Sequence, residues 1–269
     1  MIIDFHTHVF PDKIAQKTID LLSKKGGIPP FSDGSVSGLL EKLEEADADL
    51  AVTLPVLTNP AQFDSVNRFA AELNRTFADK QRRLISFGGI HPLCEDIEGK
   101  MKLLRESGFV GVKIHPDYQG TFITDEGYIR ILQCAKEYDM IVLTHAGVDG
   151  GYRDYPVRCT PALTKELLRR VPYRKLVLAH YGANECFYEV LDTLCDEDVY
   201  FDTAYILRFI DPSLFQKILA RHGADRVLFA SDSPWSSIAK DAEILRSFAL
   251  GRETEDKIFY QNAKKLLGI

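Results

Sequence analysis

Met1-Ile2-Ile3-Asp4-Phe5-His6-Thr7-His8 opens the chain with a short apolar run that ends in two histidines separated by one residue. The run is too short for a helix and rich in the residues that strands favour. Seven more runs of this kind follow: Leu50 to Leu54, Leu84 to Phe87, Gly111 to Ile114, Met140 to Leu143, Lys175 to Ala179, Val199 to Phe201 and Val227 to Ala230. Their starts lie 24 to 48 residues apart, about the length of one strand, loop and helix. The intervals carry helical spacing: Phe63, Val66, Ala70, Leu73 and Phe77 form one apolar stripe, and Thr160-Pro161 and Asp211-Pro212 read as helix starts. His222-Gly223 reads as a helix end, where a protonated imidazole would meet the negative pole of the helix.

Continuous apolar strands alternating with amphipathic helices imply a parallel sheet covered on its faces. Eight such units in 269 residues fit a closed (β/α)8 barrel of the TIM type, with an outer ring of helices, as one domain over residues 1–269. No Gly-x-Gly-x-x-Gly fingerprint follows the first strand, which argues against a dinucleotide fold. The stretch from Lys24 to Ser37, rich in Gly, Pro and Ser, is expected to be a loop on the catalytic face and a candidate lid.

Composition narrows the function. The chain is 45% hydrophobic and 27% charged, with a formal net charge of −6, so no basic field is available for a nucleic acid. No apolar run approaches the roughly 20 residues of a membrane span, and the first residues do not read as a secretory signal. Five cysteines without a Cys-x-x-Cys pair fit a reducing cytoplasm better than a disulfide framework. The expected partner is a small-molecule substrate.

Five of the seven histidines fall at or just past predicted strand ends: His6, His8, His115, His145 and His180. Asp232 ends the eighth run. A barrel gathers these ends at one mouth. His6 and His8, two apart on a strand, share a face, and with His145 and Asp232 they make a His3Asp set for one divalent cation, zinc by preference, with a position left for water. A lone His near a strand end is commonly structural; several at the same rim are hard to obtain from packing alone. Lys113 shares strand parity with His115 and faces the pocket as a lining lysine paired with Asp4 or another acid. Asp4 is expected one layer deeper, orienting an imidazole or Lys113. His115, Tyr118 and Trp235 are pocket walls by position, and Arg153 or Arg158 is a candidate clamp for a substrate carboxylate. His91 ranks below these.

Ile3-Asp4-Phe5-His6-Thr7-His8, Gly111-Val112-Lys113-Ile114-His115-Pro116, Thr144-His145-Ala146-Gly147, Leu178-Ala179-His180-Tyr181-Gly182 and Phe229-Ala230-Ser231-Asp232-Ser233-Pro234-Trp235 together resemble the amidohydrolase superfamily. The branch is amidohydrolase-2, which includes the aminocarboxymuconate-semialdehyde decarboxylase-like enzymes. The resemblance implies a mononuclear site in which His6, His8 and His145 bind the metal, Asp232 ligates it or lies beside it and moves the proton, and His180 contacts water or substrate. Some branches of the superfamily carboxylate a lysine at the Lys113 position; one metal per chain is the expectation here. Dimers are common in the family, so a homodimer is among the implied assemblies.

Hydrolysis of a small amide, lactone, ester or related substrate is the leading expectation, and metal-dependent non-oxidative decarboxylation of a small unsaturated or aromatic acid is the alternative. A nuclease of the TatD-like kind ranks third, because those carry a bridging Glu where this chain has Lys113 and His115. A non-enzymatic barrel ranks last, since all of His6, His8, His145, His180 and Asp232 are present.

Overall fold

The computed structural model describes residues 1–78 and 83–269. Its strands are β1 (Ile3–Thr7), β2 (Leu50–Thr53), β3 (Leu84–Ser86), β4 (Gly88–Gly89), β5 (Gly111–Ile114), β6 (Ile141–Thr144), β7 (Leu176–Leu178), β8 (Tyr200–Asp202) and β9 (Val227–Leu228). They pair in sequence order as two sheets, β1-β2-β3 and β4 to β9, every pair parallel. Only Phe87 separates β3 from β4, and its N–H still donates to the Thr53 carbonyl at 3.0 Å, so these two pieces form one stave. The eighth stave returns to the first. Phe5 N–H donates to Phe229 O (2.9 Å), Asp232 N–H to His6 O (2.9 Å) and His8 N–H to Ser233 O (2.6 Å). The fold is a (β/α)8 barrel with its seam between β1 and the segment after β9.

Alternation along the strands divides the core in two. Val112, Ile114, Val142, Leu176 and Leu178 join the helices in one apolar cluster, while Phe5, Val52, Phe87, Leu143, Val177 and Leu228 form a second that fills the ring. Lys113, registered against Leu143, shares the inward parity and is buried. The helix starts follow the sequence signals: Thr160 caps Pro161–Arg170 through Leu163 N–H, and Asp211 caps Pro212–His222 through Ser213 and Leu214 N–H. Helix Asp12–Gly26 runs into the expected loop, which is confined to the residues between Gly27 and Ser35. Among the described residues no helix is long and apolar enough to cross a membrane.

His222 does end its helix, but the charge–dipole account does not hold. Its ring is buried and stacked on Phe201 (centroids 3.9 Å, 8° between planes), and burial lowers its pKa to about 4. At neutral pH the imidazole is uncharged, so packing and the Nδ1 contact to Cys195 O place it there.

After β6 the chain passes Gly147 in the left-handed region (φ +85°), where a Cβ would lie 2.1 Å from Asn184 N. The obstacle is backbone, which cannot swing aside as a side chain would. Gly147→Ala is expected to destabilise the fold by more than about 2 kcal/mol, read as a lower denaturant midpoint; a midpoint equal to that of the parent would contradict the close approach.

Candidate active site

β1 brings His6 and His8 to the rim with their hydrogens already assigned by neighbours. His8 Nδ1 lies 2.8 Å from the Leu54 carbonyl, which can only accept, so Nδ1 carries the hydrogen and Nε2 the electron pair. His6 Nδ1 lies 2.8 Å from Asp202 Oδ2 and is held in the same tautomer. Both Nε2 atoms face Asp232 Oδ1, at 3.4 Å from His6 and 3.1 Å from His8. The ligand atoms of these three residues lie within 4.8 Å of one another. Burial keeps His6 well below the ordinary imidazole pKa, helped by the charge of Lys113, so the ring is neutral. Two imidazole electron pairs and a carboxylate oxygen thus converge on one point. Such a donor set fits a divalent cation, which would turn mutual repulsion into attraction.

Lys113 Nζ sits 3.2 Å from His6 Nε2, and among the described residues no carboxylate lies within 4.0 Å of it. Burial lowers its pKa to about 8, with Asp202 and Asp232 pulling the other way. The expected partner Asp4 is engaged elsewhere. It accepts from His6 N–H, Ser231 N–H and Ser231 Oγ, tying the first stave to the last, and burial raises its carboxyl pKa to about 7.

His145 and His180 form the next layer. His180 Nδ1 donates to Ala204 O (3.0 Å), which leaves its Nε2 to accept from His145 Nδ1 at 2.9 Å. That assignment leaves the electron pair of His145 on Nε2, a buried atom with no hydrogen-bond partner, 3.8 Å from Asp117 Oδ2. Of the four ligands read from sequence, the structure brings His6, His8 and Asp232 together; His145 instead groups with His115 and Asp149. This second group differs chemically from the first. His115 Nδ1 accepts from Tyr118 N–H (3.3 Å), so its hydrogen sits on Nε2 and points at Asp149 Oδ2, 3.5 Å away. The result is a donor facing an acid, not converging electron pairs.

Both residues assigned chemical roles occupy left-handed backbone: His180 (φ 60°), followed by Tyr181 (φ 58°), and Asp232 (φ 69°). For residues with a Cβ this costs on the order of 1–3 kcal/mol each, the kind of strain that collects where side chains must be aimed. Asp202, which sequence reading did not single out, supports this arrangement. Its Oδ1 accepts from His180 N–H (2.9 Å) and Ala204 N–H (3.0 Å) while Oδ2 holds His6. Asp117 and Asp149 were missed as well.

The rim opens into a cavity of about 480 Å³ lined by His6, His8, Lys113, His115, Tyr118, His145, His180, Asp232 and Trp235, with an apolar wall beyond them. Neither arginine lines it. Arg153 extends outward to Glu185, and Arg158 lies 3.5 Å from the buried acid Asp117. Each guanidinium already meets a carboxylate. His91 is buried, accepts Leu93 N–H at 3.2 Å, and does not line the cavity.

The Amidohydrolase family model matches residues 3–269. The chain belongs to this family. No curated relative matches the sequence. Among solved structures, 2,6-dihydroxybenzoate decarboxylase from Rhizobium is similar to it at TM-score 0.70 and 15% identity, over 99% of this amidohydrolase and 98% of that chain. An uncharacterised TIM-barrel protein from Bordetella bronchiseptica gives TM-score 0.76 at 15% identity, over 99% and 98%. A dihydroxybenzoic acid decarboxylase from Polaromonas sp., solved with bound manganese and 2-nitroresorcinol, gives 0.69 at 15%, over 99% and 96%. At these identities the likeness is one of fold.

Proposed function

We propose that this amidohydrolase is a metal-dependent, non-oxidative decarboxylase of an unsaturated or aromatic carboxylic acid. This reverses the order in which the sequence ranked hydrolysis and decarboxylation. The observation that carries it is the asymmetry of the cavity, in which Lys113 is the one lysine or arginine among the described lining residues and the wall facing the imidazoles is apolar. A carboxylate entering such a space loses water and meets a single cationic side chain beside the metal site. The charge-dispersed state in which CO2 departs suffers less from that loss than the localised carboxylate does.

His6 Nε2, His8 Nε2 and Asp232 would hold the divalent cation, with His145 as the candidate fourth donor, and zinc suits these nitrogen-rich donors. When bound, the cation supplies Lewis-acid polarisation of substrate oxygen atoms. Lys113 balances the substrate's negative charge, and His180, whose Nε2 accepts from His145 Nδ1, fixes the orientation of the His145 ring at the rim. Asp232 would take a proton from solvent on the carboxylate oxygen turned away from His6 and His8, pass it to the carbon that bears the carboxylate, and be reprotonated by solvent for the next turnover. The C–CO2 bond then breaks, its electron pair stays with the organic fragment, and the new C–H bond balances the equation. The Rhizobium and Polaromonas neighbours, named as decarboxylases, support the same reading.

The test follows both products. Metal-loaded protein is expected to release CO2 from a member of a panel of hydroxybenzoic and unsaturated acids, to lose that activity after chelation, and to regain it with added zinc or manganese. Hydrolysis of an amide, lactone or ester without CO2 release from any acid would overturn the proposal.

A further inference from the structure

The cavity extends well past the imidazoles. Helix Asp12–Gly26 turns Ala15 and Ile19 into the core, yet a second stripe at four-residue spacing, Ile14, Thr18 and Leu22, faces the cavity. Across from it, helix Phe63–Thr76 buries Phe63, Asn67, Ala70 and Leu73 and presents Val66 and Phe69 to the same space. Ile14 is 49% exposed, and Leu22, Val66 and Phe69 are half-buried. These side chains line open volume, and Val66 also packs against the core. At about 480 Å³ the cavity falls within the roughly 300–1,000 Å³ of pockets that take drug-sized ligands, which leaves room beyond one carboxylated ring. Lys25 Nζ, 3.5 Å from the centroid of the Tyr152 ring, ties the end of the first helix to the loop after β6.

We infer that the substrate is an amphipathic acid, whose carboxylated end meets Lys113 and Asp232 and whose apolar substituent lies in the arm between Ile14, Leu22, Val66 and Phe69. The inference rests on the decarboxylase reading for the acid end, but the arm stands on its own lining. Continuity with the rim argues for substrate as the occupant, because the arm and the imidazoles share one cavity. Each methylene moved from water into such a wall tightens binding about fourfold.

Trp235, the one tryptophan in the chain, lines the cavity and serves as the reporter. Metal-loaded protein would be titrated with benzoate and its 3- and 4-ethyl, butyl and hexyl derivatives, and in parallel with the matching benzamides. Affinity is expected to climb about fourfold per methylene until the arm fills. Leu22→Asn and the more exposed Ile14→Asn, the second chosen to spare folding, are expected to flatten that climb. Acids that bind equally at every chain length would overturn the arm and leave decarboxylation standing. Amides that climb while no acid binds would support the arm and overturn the acid reading instead.

Discussion

Asp232→Asn is expected to lower kcat/KM by about 10³-fold or more while the protein folds and keeps its metal. Positioned proton transfer contributes typically 10²–10⁴-fold, and an amide can neither hold nor deliver the proton. The substitution isolates this chemistry. Asp232 sits at φ 69°, a conformation that asparagine also tolerates, and Asn retains an oxygen to face His6 and His8. Steady-state kinetics beside elemental analysis makes the check, and a variant that turns over within tenfold of the parent would remove Asp232 from the proton's route.

The second large effect is expected from a residue that never touches substrate. Asp202→Asn should weaken divalent-metal binding 10- to 100-fold, because Asp202 fixes where the hydrogen sits on His6. The carboxylate accepts three donors: His180 N–H and Ala204 N–H at Oδ1, and His6 Nδ1 at Oδ2. An asparagine that keeps its oxygen on the two backbone donors must turn its NH2 toward His6. Nδ1 would then have to accept, the hydrogen would move to Nε2, and the electron pair aimed at the cation would be gone. Titration against a buffered metal series reads this directly. Parent-like affinity would show that the Asp202 contact does not set the tautomer.

All eight staves were legible in the sequence, because a parallel barrel strand is buried on both sides and writes an unbroken apolar run. The rim histidines and Asp232 were legible because a barrel turns strand ends into neighbours. Asp202 carried the same signal, as a carboxylate ending the Tyr200–Asp202 strand, and was passed over because no histidine marks it. What strand parity cannot give is the partner. Arg153 and Arg158 read as free cations until the fold sets Glu185 and Asp117 beside them, 32 and 41 residues away. The hydrogen positions on His8 and His180 depend on the carbonyls of Leu54 and Ala204, and a carbonyl has no sequence signature.

The seam between β1 and the last stave has a consequence for how the enzyme comes to life. His6 and Asp232 are separated by nearly the whole polypeptide, yet a main-chain hydrogen bond from Asp232 to His6 closes the ring where their side chains meet. A chain still emerging from the ribosome, with seven staves built, owns the histidines but not the acid, so competence arrives in one step when the circle shuts. Contacts of such long range are slow to form. Any ion or inhibitor seated across the seam then acts as a clasp, raising resistance to unfolding in proportion to the logarithm of its excess over its dissociation constant.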